Sequence, residues 1–384
     1  MKNTILYFLD DPGRDKHFHQ YVLTGLVDAG FNPIVTYFWT DPDRRSSLQE
    51  AGYEMLDLGC SQKSYKGFHP SLVVKIVRAL KDHKAIAAHV QRHHPLIYLA
   101  IAARLTGLPV LFYTIRSTKL IRNINRRLAF SLISAQISQV IAVSEGVKND
   151  FVTRTGLAAD KVVVIPNGID PGSFELTVPK TDARAAFNLP KEKFLFGMAA
   201  RLKKAKDHAG LIKAFSMVRR EMKNACLVLA GDGPLKAEIQ KAVADLELMK
   251  DVIFLGQIAP KNIPVLLHGL DVFVHPSWRE GMPAAILEAM ASGLPVIATD
   301  AEGVTDIFAS NLNFGRMVPR GKTERLAQAM LELYRKPPGE LIEMGQTAKI
   351  RVKEAFSHGR MVQQTIDLYN HHLSQFQTTP PRHS

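Results

Sequence analysis

Short apolar runs rich in β-branched residues alternate with longer amphipathic stretches along almost the whole chain. Ile5–Leu9, Pro33–Phe38, Ala85–Ala88, Val110–Thr114, Val140–Val143 and Val162–Ile165 predict strands, each a brief apolar run bounded by polar or turn residues. Between them, Asp15–Ala29 carries Phe18, Val22 and Leu26 at i, i+4 and i+8, the spacing of one helix face. Ser71–Asp82 and Pro95–Leu105 also read as helices. From Pro166 to about Lys193 the pattern lapses into prolines and an Asn-Gly pair, which predicts a linker. The alternation then restarts. Strands are expected at Phe194–Ala199, Cys226–Ala230, Val252–Leu255, Val272–His275 and Val296–Thr299, with helices over Asp207–Arg219, Leu235–Leu246 and Pro283–Ser292. Past Phe356, one more helix shows Met361, Thr365 and Leu368 on a face, followed by TTPPRHS, expected to be disordered. Alternating strands and helices imply parallel sheets covered on both faces. The predicted class is α/β, with two doubly wound Rossmann-like domains facing a central cleft. Residues 1–170 and 171–355 form the domains, and 356–384 a crossover helix and tail.

Composition agrees and narrows the classes. The 384 residues are 46% hydrophobic and 22% charged, enough apolar material for two cores. No apolar run reaches the roughly 18 residues of a membrane-spanning helix. The opening MKNTILYFLDDPG has a short apolar run followed by two aspartates, a buried first strand rather than a signal peptide. Cys60 and Cys226 are far apart and fit no metal or disulfide framework, so a reducing cytoplasm is expected. The net charge of +13 implies an anionic partner, whether nucleic acid, anionic lipid or phosphorylated small molecules, or else only good solubility. No aromatic-basic recognition motif accompanies the charge, so nucleic acid is not the expected partner.

In open parallel sheets, ligands bind beyond the carboxyl ends of the strands. Four segments of the second half fall there. Arg201 and Lys206 follow the first strand and precede a helix, whose N-terminus attracts anions, so the pair is a candidate diphosphate site. Ala230–Leu235, AGDGPL, is a glycine turn leading into a helix. Phe254–Gln257, FLGQ, ends a strand with a glycine that permits close ligand approach. Residues 275–300, HPSWREGMPAAILEAMASGLPVIATD, are the most specific. Gly281 and the following helix start present backbone N–H groups, Glu280 a carboxylate beside them, and Glu288 lies eight residues on, two helical turns along the same face. Two such carboxylates suit two hydroxyl-bearing parts of an elongated ligand. Each segment taken singly also reads as an ordinary turn or strand end.

Taken together, residues 194–300 resemble the C-terminal domain of glycosyltransferase family 4, a GT-B family of retaining enzymes. AVSEGVKNDF (142–151), IPNGID (165–170) and the final helix extend the resemblance over nearly the whole chain. It implies a GT-B fold whose C-terminal helix returns toward the first domain. It also implies that Arg201 and Lys206 grip the nucleotide diphosphate, and that Glu280 with the backbone of Gly281, Met282, Pro283 and Ala284 holds the transferred sugar. Glu288 would hold the ribose, and the strand end at Gly256–Ile258 would meet the base. Glu280, Arg201 and Lys206 are thus the expected catalytic residues. Fixed cations around a leaving diphosphate stabilise its developing charge, so no metal or other cofactor is expected. The lone Asp41-Pro42-Asp43 resembles a metal motif but sits in a polar turn, where such residues are common.

The first domain, expected to bind the acceptor, departs from the family pattern. Where relatives carry a glycine-rich loop, this chain has DDPGRDKHFH with only Gly13, and where relatives often place a histidine it has Arg116. Arginine cannot serve as a general base but could bind a phosphate or steady a developing charge. His89, Arg92, His93 and His94 follow the strand at Ala85–Ala88 and could contact acceptor or donor, or merely fill a loop. Arg116, Lys119, Arg122, Arg126 and Arg127 form a basic stretch with Ile121, Ile124, Leu128 and Leu132 at helical spacing. That pattern suits an anionic membrane surface, or a core-packed helix with a solvated face. The expected activity is transfer of a hexose or N-acetylhexosamine, from a UDP-linked donor, to a lipid-linked or lipopolysaccharide-type glycan with retention. The enzyme is expected in the cytoplasm, peripheral on the inner membrane face. The alternatives are a sugar-nucleotide epimerase on the same fold and a non-catalytic sugar-nucleotide-binding protein.

Overall fold

A computed structural model describes residues 3–9, 17–39, 47–60, 68–121, 123–309 and 313–377. Gly13, Arg122, the Asp41-Pro42-Asp43 turn, the tail TTPPRHS and the side chain of Phe18 lie outside the described residues. The chain divides into two compact units, Met1–Gly168 with His358–Ser384, and Ile169–Ser357. Each carries one parallel sheet.

The first unit has strands β1 (Asn3–Leu9), β2 (Phe31–Tyr37), β3 (Met55–Asp57), β4 (Ala87–Val90), β5 (Val110–Ile115), β6 (Gln139–Ala142) and β7 (Val162–Val164). Their order is β3-β2-β1-β4-β5-β6-β7. β1 is central, with Ile5 beside Pro33 on β2 and beside Ala87 on β4. The second unit has β8 (Phe194–Ala199), β9 (Ala225–Ala230), β10 (Val252–Gly256), β11 (Val272–His275), β12 (Val296–Thr299) and β13 (Gly315–Val318), ordered β10-β9-β8-β11-β12-β13. The chain reverses its direction of travel across each sheet once, between β1 and β4 and between β8 and β11. Those are the positions where doubly wound sheets open a crevice at their carboxyl ends.

The central strands are buried on both faces, which is why they read as unbroken apolar runs. The edge strands β3 and β13 were not predicted. Met55–Asp57 and Gly315–Val318 are short and mostly half-buried or exposed, with Asp57, Gly315 and Arg316 breaking the apolar signal. The predicted linker is partly a folded piece of the second unit, with a helix at Lys180–Ala185. Arg184 in it is buried, donating to the Gly269 carbonyl at 2.9 Å and pairing with Asp271 at 2.8 Å. One strand is displaced by two residues from its predicted place, so His89 lies inside β4 rather than after it.

The final helix, His358–Gln377, belongs to the first unit. Its Tyr369 is wholly buried and stacks on Phe112 of β5 with ring centroids 4.3 Å apart. It packs on the helix His17–Asp28 so closely that a Cβ at Gly25 would stand 2.2 Å from Val362. The second core gathers Phe196, Phe215, Val272, Ile297 and Met330 among others under the helices His208–Glu221 and Thr323–Tyr334. No helix among the described residues is long and apolar enough to cross a membrane.

Candidate functional site

In the second unit the side chains converge where the strand order turns. Beyond β8, the chain is tied to the neighbouring strand end: Ala200 N–H donates to the Ala230 carbonyl at 2.9 Å and Leu202 N–H to the Asp232 carbonyl at 3.0 Å. The AGDGPL glycines are required by this closeness. A Cβ at Gly231, which has φ +132°, would stand 2.1 Å from the Ala200 carbonyl oxygen, and one at Gly233 2.5 Å from that of Leu202. A 3₁₀ turn, Lys204–Lys206, then delivers Lys206. Asp207 at φ +50° caps the helix His208–Glu221 by accepting from Gly210 N–H.

Beyond β11 the loop 276–283 is fixed at several points. Trp278 N–H donates to the Ala205 carbonyl at 2.9 Å, and the Thr299 hydroxyl to the Ser277 carbonyl at 2.6 Å. Gly303 N–H reaches the Glu280 carbonyl at 3.3 Å, and a Cβ on Gly303 would stand 1.8 Å from the Gly281 carbonyl oxygen. These ties bring Lys206 Nζ to 2.5 Å from Glu280 Oε1, and Nε2 of the wholly buried His275 to 2.8 Å from the same oxygen. Ser277 Oγ lies 3.0 Å from His275 Nε2.

An ionised carboxylate only accepts hydrogen bonds, so His275 carries its proton on Nε2. Its Nδ1, buried without a partner, is then a bare lone pair rather than a stranded donor. Burial lowers the His275 pKa against the opposing pull of Glu280. Burial alone would raise the Glu280 carboxyl. The His275 hydrogen bond and charge, together with Lys206, outweigh it and hold the group at about 2. Glu280 is therefore a fixed anion with one oxygen committed to two donors. The amide N–H groups of Gly281, Met282 and Ala284 have no partner among the described residues. The unit thus places a fixed carboxylate, an ammonium and open amide donors side by side.

The other predicted donor-side residues fall nearby or on the same strand ends. Arg201 is exposed in the loop after β8. Gly256 ends β10 at φ +66° and its carbonyl accepts from Gly231 N–H at 2.6 Å, with Ile258 half-buried two residues on. The helix here is Ala284–Ala291, so Glu280 precedes it. The expectation that Glu280 and Glu288 are two turns apart on one helix face is therefore corrected, because Pro283 is the N-cap. Glu288 is half-buried on that helix, burial raises its carboxyl, and that carboxylate has no hydrogen-bond partner among the described residues, while its backbone carbonyl accepts from the Ser292 hydroxyl at 3.0 Å. His275 was missed as a functional residue. Its signal was an otherwise apolar strand ending in a histidine five residues before the acidic loop position.

In the first unit a polar network fills the strand ends. His89 is buried, its Nδ1 2.7 Å from the Tyr369 hydroxyl and its Nε2 2.6 Å from the Thr114 hydroxyl. Burial, then the Arg116 charge, push its pKa to about 3, so it is neutral at pH 7. His89 is thus held in the interior, which corrects its expected place in the loop after the strand. Arg116 donates from Nε and Nη2 to Gln91 Oε1 at 3.2 and 2.8 Å, and from Nη1 to Asn167 Oδ1 at 2.6 Å. Gln91 Nε2 in turn donates to the Tyr7 hydroxyl at 2.9 Å. Burial draws the Arg116 pKa down to about 10, which leaves it cationic at pH 7. A cavity of about 30 Å³ lies among these groups, room for about one water molecule.

The basic stretch is not one helix. The helix begins at Ile124, capped by Asn123, so Arg116 and Lys119 are off it; Lys119 N–H donates to Asp150 at 2.7 Å. Ile121 is buried and leaves the proposed stripe. Ile124, Leu128 and Leu132 remain, exposed at 64%, 58% and 83%, beside Arg126 and Arg127. Among the described residues no three His, Cys, Asp or Glu side chains cluster as metal ligands.

Two parallel-sheet α/β units with this strand order define the GT-B fold of glycosyltransferases. The structure resembles that of Anabaena Alr3699/HepE in complex with UDP, with a TM-score of 0.81 at 21% identity over 96% of this chain and all of that one. Residues 20–173 match the model of "Glycosyltransferase Family 4" and residues 179–351 that of "Glycosyl transferases group 1". The chain belongs to the family-4 type of glycosyltransferases. It is 34% identical to EpsF of Bacillus subtilis (strain 168), named as a glycosyltransferase, over 61% of this chain, an alignment that spans 62% of that protein's length. It is 26% identical to the UDP-Gal:alpha-D-GlcNAc-diphosphoundecaprenol alpha-1,3-galactosyltransferase of Escherichia coli over 77% of this chain and 78% of that one.

Proposed function

We propose that this glycosyltransferase moves a hexose or N-acetylhexosamine from a UDP-sugar to a lipid-linked or lipopolysaccharide-type glycan with retention at the anomeric carbon. The observation that carries the reading is the Lys206–Glu280–His275 cluster beside the open amides of Gly281, Met282 and Ala284. Arg201 and Lys206 meet the diphosphate and neutralise the charge it gains as the sugar–phosphate bond breaks. Glu280, kept anionic and oriented by His275, accepts hydrogen bonds from the sugar hydroxyls and favours the positive charge that develops on the ring. Glu288 accepts from the ribose hydroxyls, and the backbone at Gly256–Ile258 meets the base. With the leaving charge met by side chains and amides, the reaction needs no metal.

The UDP in the complex of the similar Anabaena structure and the diphosphoundecaprenol in the name of the Escherichia coli relative support the choice of donor and acceptor class. The first unit binds the acceptor. The exposed Ile124, Leu128 and Leu132 with Arg126 and Arg127 support contact with an anionic membrane from the cytoplasmic side. Thermal shift with UDP, GDP, ADP and their sugars tests the reading against an Arg201→Ala/Lys206→Ala double variant. A ligand at 100 times its Kd adds about 2.7 kcal/mol of stability. A shift with uridine nucleotides that the variant loses is expected. No shift with any nucleotide overturns the donor site.

A further inference from the structure

The loop that carries Glu280 leaves the second sheet with neighbours on both sides, because β11 lies between β8 and β12, and β13 follows β12. On the β8 side, Trp278 N–H donates to the Ala205 carbonyl and Lys206 meets Glu280. On the other side, β12 and β13 end together. Thr299 stands beside Val318, and Asp300 N–H donates to the Val318 carbonyl at 3.0 Å. Arg320 follows at that place. Its Nη1 donates to the Trp278 carbonyl at 3.0 Å and to Glu302 Oε1 at 3.2 Å. Its Nε lies 3.3 Å from Asp300 Oδ1, and its backbone N–H donates to the same oxygen at 2.9 Å. Both backbone polar groups of Trp278, two residues before Glu280, are therefore engaged, the N–H toward β8 and the carbonyl toward β13.

Two further contacts converge on the same loop. Gly321, at φ +74°, lies so close to the Trp278 indole that a Cβ there would stand 2.4 Å from the ring. The chain after β13 thus fits against both the backbone and the ring of Trp278. Glu302 gives Oε1 to Arg320, while its Oε2 is buried with no hydrogen-bond partner among the described residues. A carboxylate so placed depends on its cation. The next residue, Gly303, abuts the backbone of Gly281 and donates its N–H to the Glu280 carbonyl. A guanidinium spans the Trp278 carbonyl, Glu302 and Asp300 with one rigid fork, which an ammonium on a flexible stem does not. Arg320 makes no hydrogen bond or ion pair with the Glu280 side chain, so it acts on that residue through the loop.

We propose that Arg320 is a positioning residue for the transfer: by holding the Trp278 carbonyl and Glu302 it sets where the Glu280 carboxylate stands against the donor sugar. The inference rests on the reading of Glu280 as the partner of the sugar hydroxyls and adds the side chain that fixes it from the β13 side.

The test is calorimetric titration of the full chain with UDP and with UDP-glucose, UDP-galactose and UDP-N-acetylglucosamine. UDP reports the nucleotide contacts, and the UDP-sugar that the wild type binds best adds the contacts to the sugar. In Arg320→Gln that UDP-sugar should bind about tenfold more weakly while UDP stays within about twofold, as expected when a hydrogen-bonded charge is removed away from the nucleotide. Arg320→Lys keeps the charge but loses the fork. It should show a smaller loss of the same kind, and it stands in if Arg320→Gln does not fold by circular dichroism. If Arg320 acts through Glu280, adding Arg320→Gln to Glu280→Gln should weaken the UDP-sugar by less than about a further twofold. Unchanged UDP-sugar affinity, an equal loss for UDP and UDP-sugar, or losses that multiply in the double variant each overturn the inference. A loss in Glu280→Gln without one in the Arg320 variants overturns it alone. If Glu280→Gln binds the UDP-sugar as the wild type does, or the wild type binds none of the four ligands, the reading of the donor site fails and takes this inference with it.

Discussion

His275 Nε2 lies 2.8 Å from Glu280 Oε1, and the histidine is wholly buried while the carboxylate opens beside free backbone amides. The carboxylate thereby fixes the tautomer of the histidine, and the imidazole fixes the orientation and charge of Glu280, the residue proposed to face the sugar. Lys206 completes the arrangement from the neighbouring strand end at 2.5 Å.

Replacing Glu280 by Gln removes the anion but keeps the shape. Initial-rate assays with a UDP-sugar should show kcat/KM reduced by about 10²–10³, in the range for loss of one preorganised electrostatic group. His275→Gln, which touches no reacting atom, should lower the rate less and leave nucleotide affinity nearly unchanged. Equal losses in both would place His275 in direct contact with substrate.

The pH dependence of stability has a defined sign. Glu280 is held at about 2 in the fold, below its ordinary 4.5, so it stabilises the fold above about pH 4.5 and that contribution disappears as pH falls toward 2. His89 is held at about 3, below 6.5, because burial favours the neutral ring. The unfolded chain takes up the proton first, so stability falls as pH drops from 6.5 toward 3. Each group contributes at most about 1.4 kcal/mol per pH unit inside its window. Denaturant melts of wild type and His89→Gln between pH 7 and pH 5 should diverge, with the variant flatter; parallel curves would remove His89 from the account.

Gly303→Ala should shift the loop that carries Glu280, because the added Cβ would stand 1.8 Å from the Gly281 backbone. A loss of about 1–3 kcal/mol in stability is expected from such overpacking. The KM for the nucleotide sugar should rise at the same time. A variant with wild-type KM would show that the loop tolerates the displacement.

Activity should survive exhaustive treatment with EDTA, since side chains and amides meet the leaving charge in the proposed reaction. A rate that collapses and returns with magnesium or manganese would require a different account of the diphosphate.

The alternation of apolar runs carried the architecture: the core strands are buried on both faces, so hydrophobicity alone marks them, and β8, β11 and β12 fall on their predicted residues. The glycine turns, Lys206 and Glu280 were legible because close backbone approach and fixed charge require particular residue types at fixed places. The edge strands β3 and β13 were not legible, since a strand exposed on one side loses the apolar run that reveals it. Pairings across the chain were beyond the sequence as well. Nothing local announces that Tyr369 would close on His89 at 2.7 Å, or that His275 and Lys206 would meet on one oxygen of Glu280. Periodicity reports which face of an element is buried, and so the sequence by itself determined the core elements and the strand ends that carry the candidate residues. Which side chains meet depends on strand order and on helix packing between distant segments, and only the tertiary structure decided that.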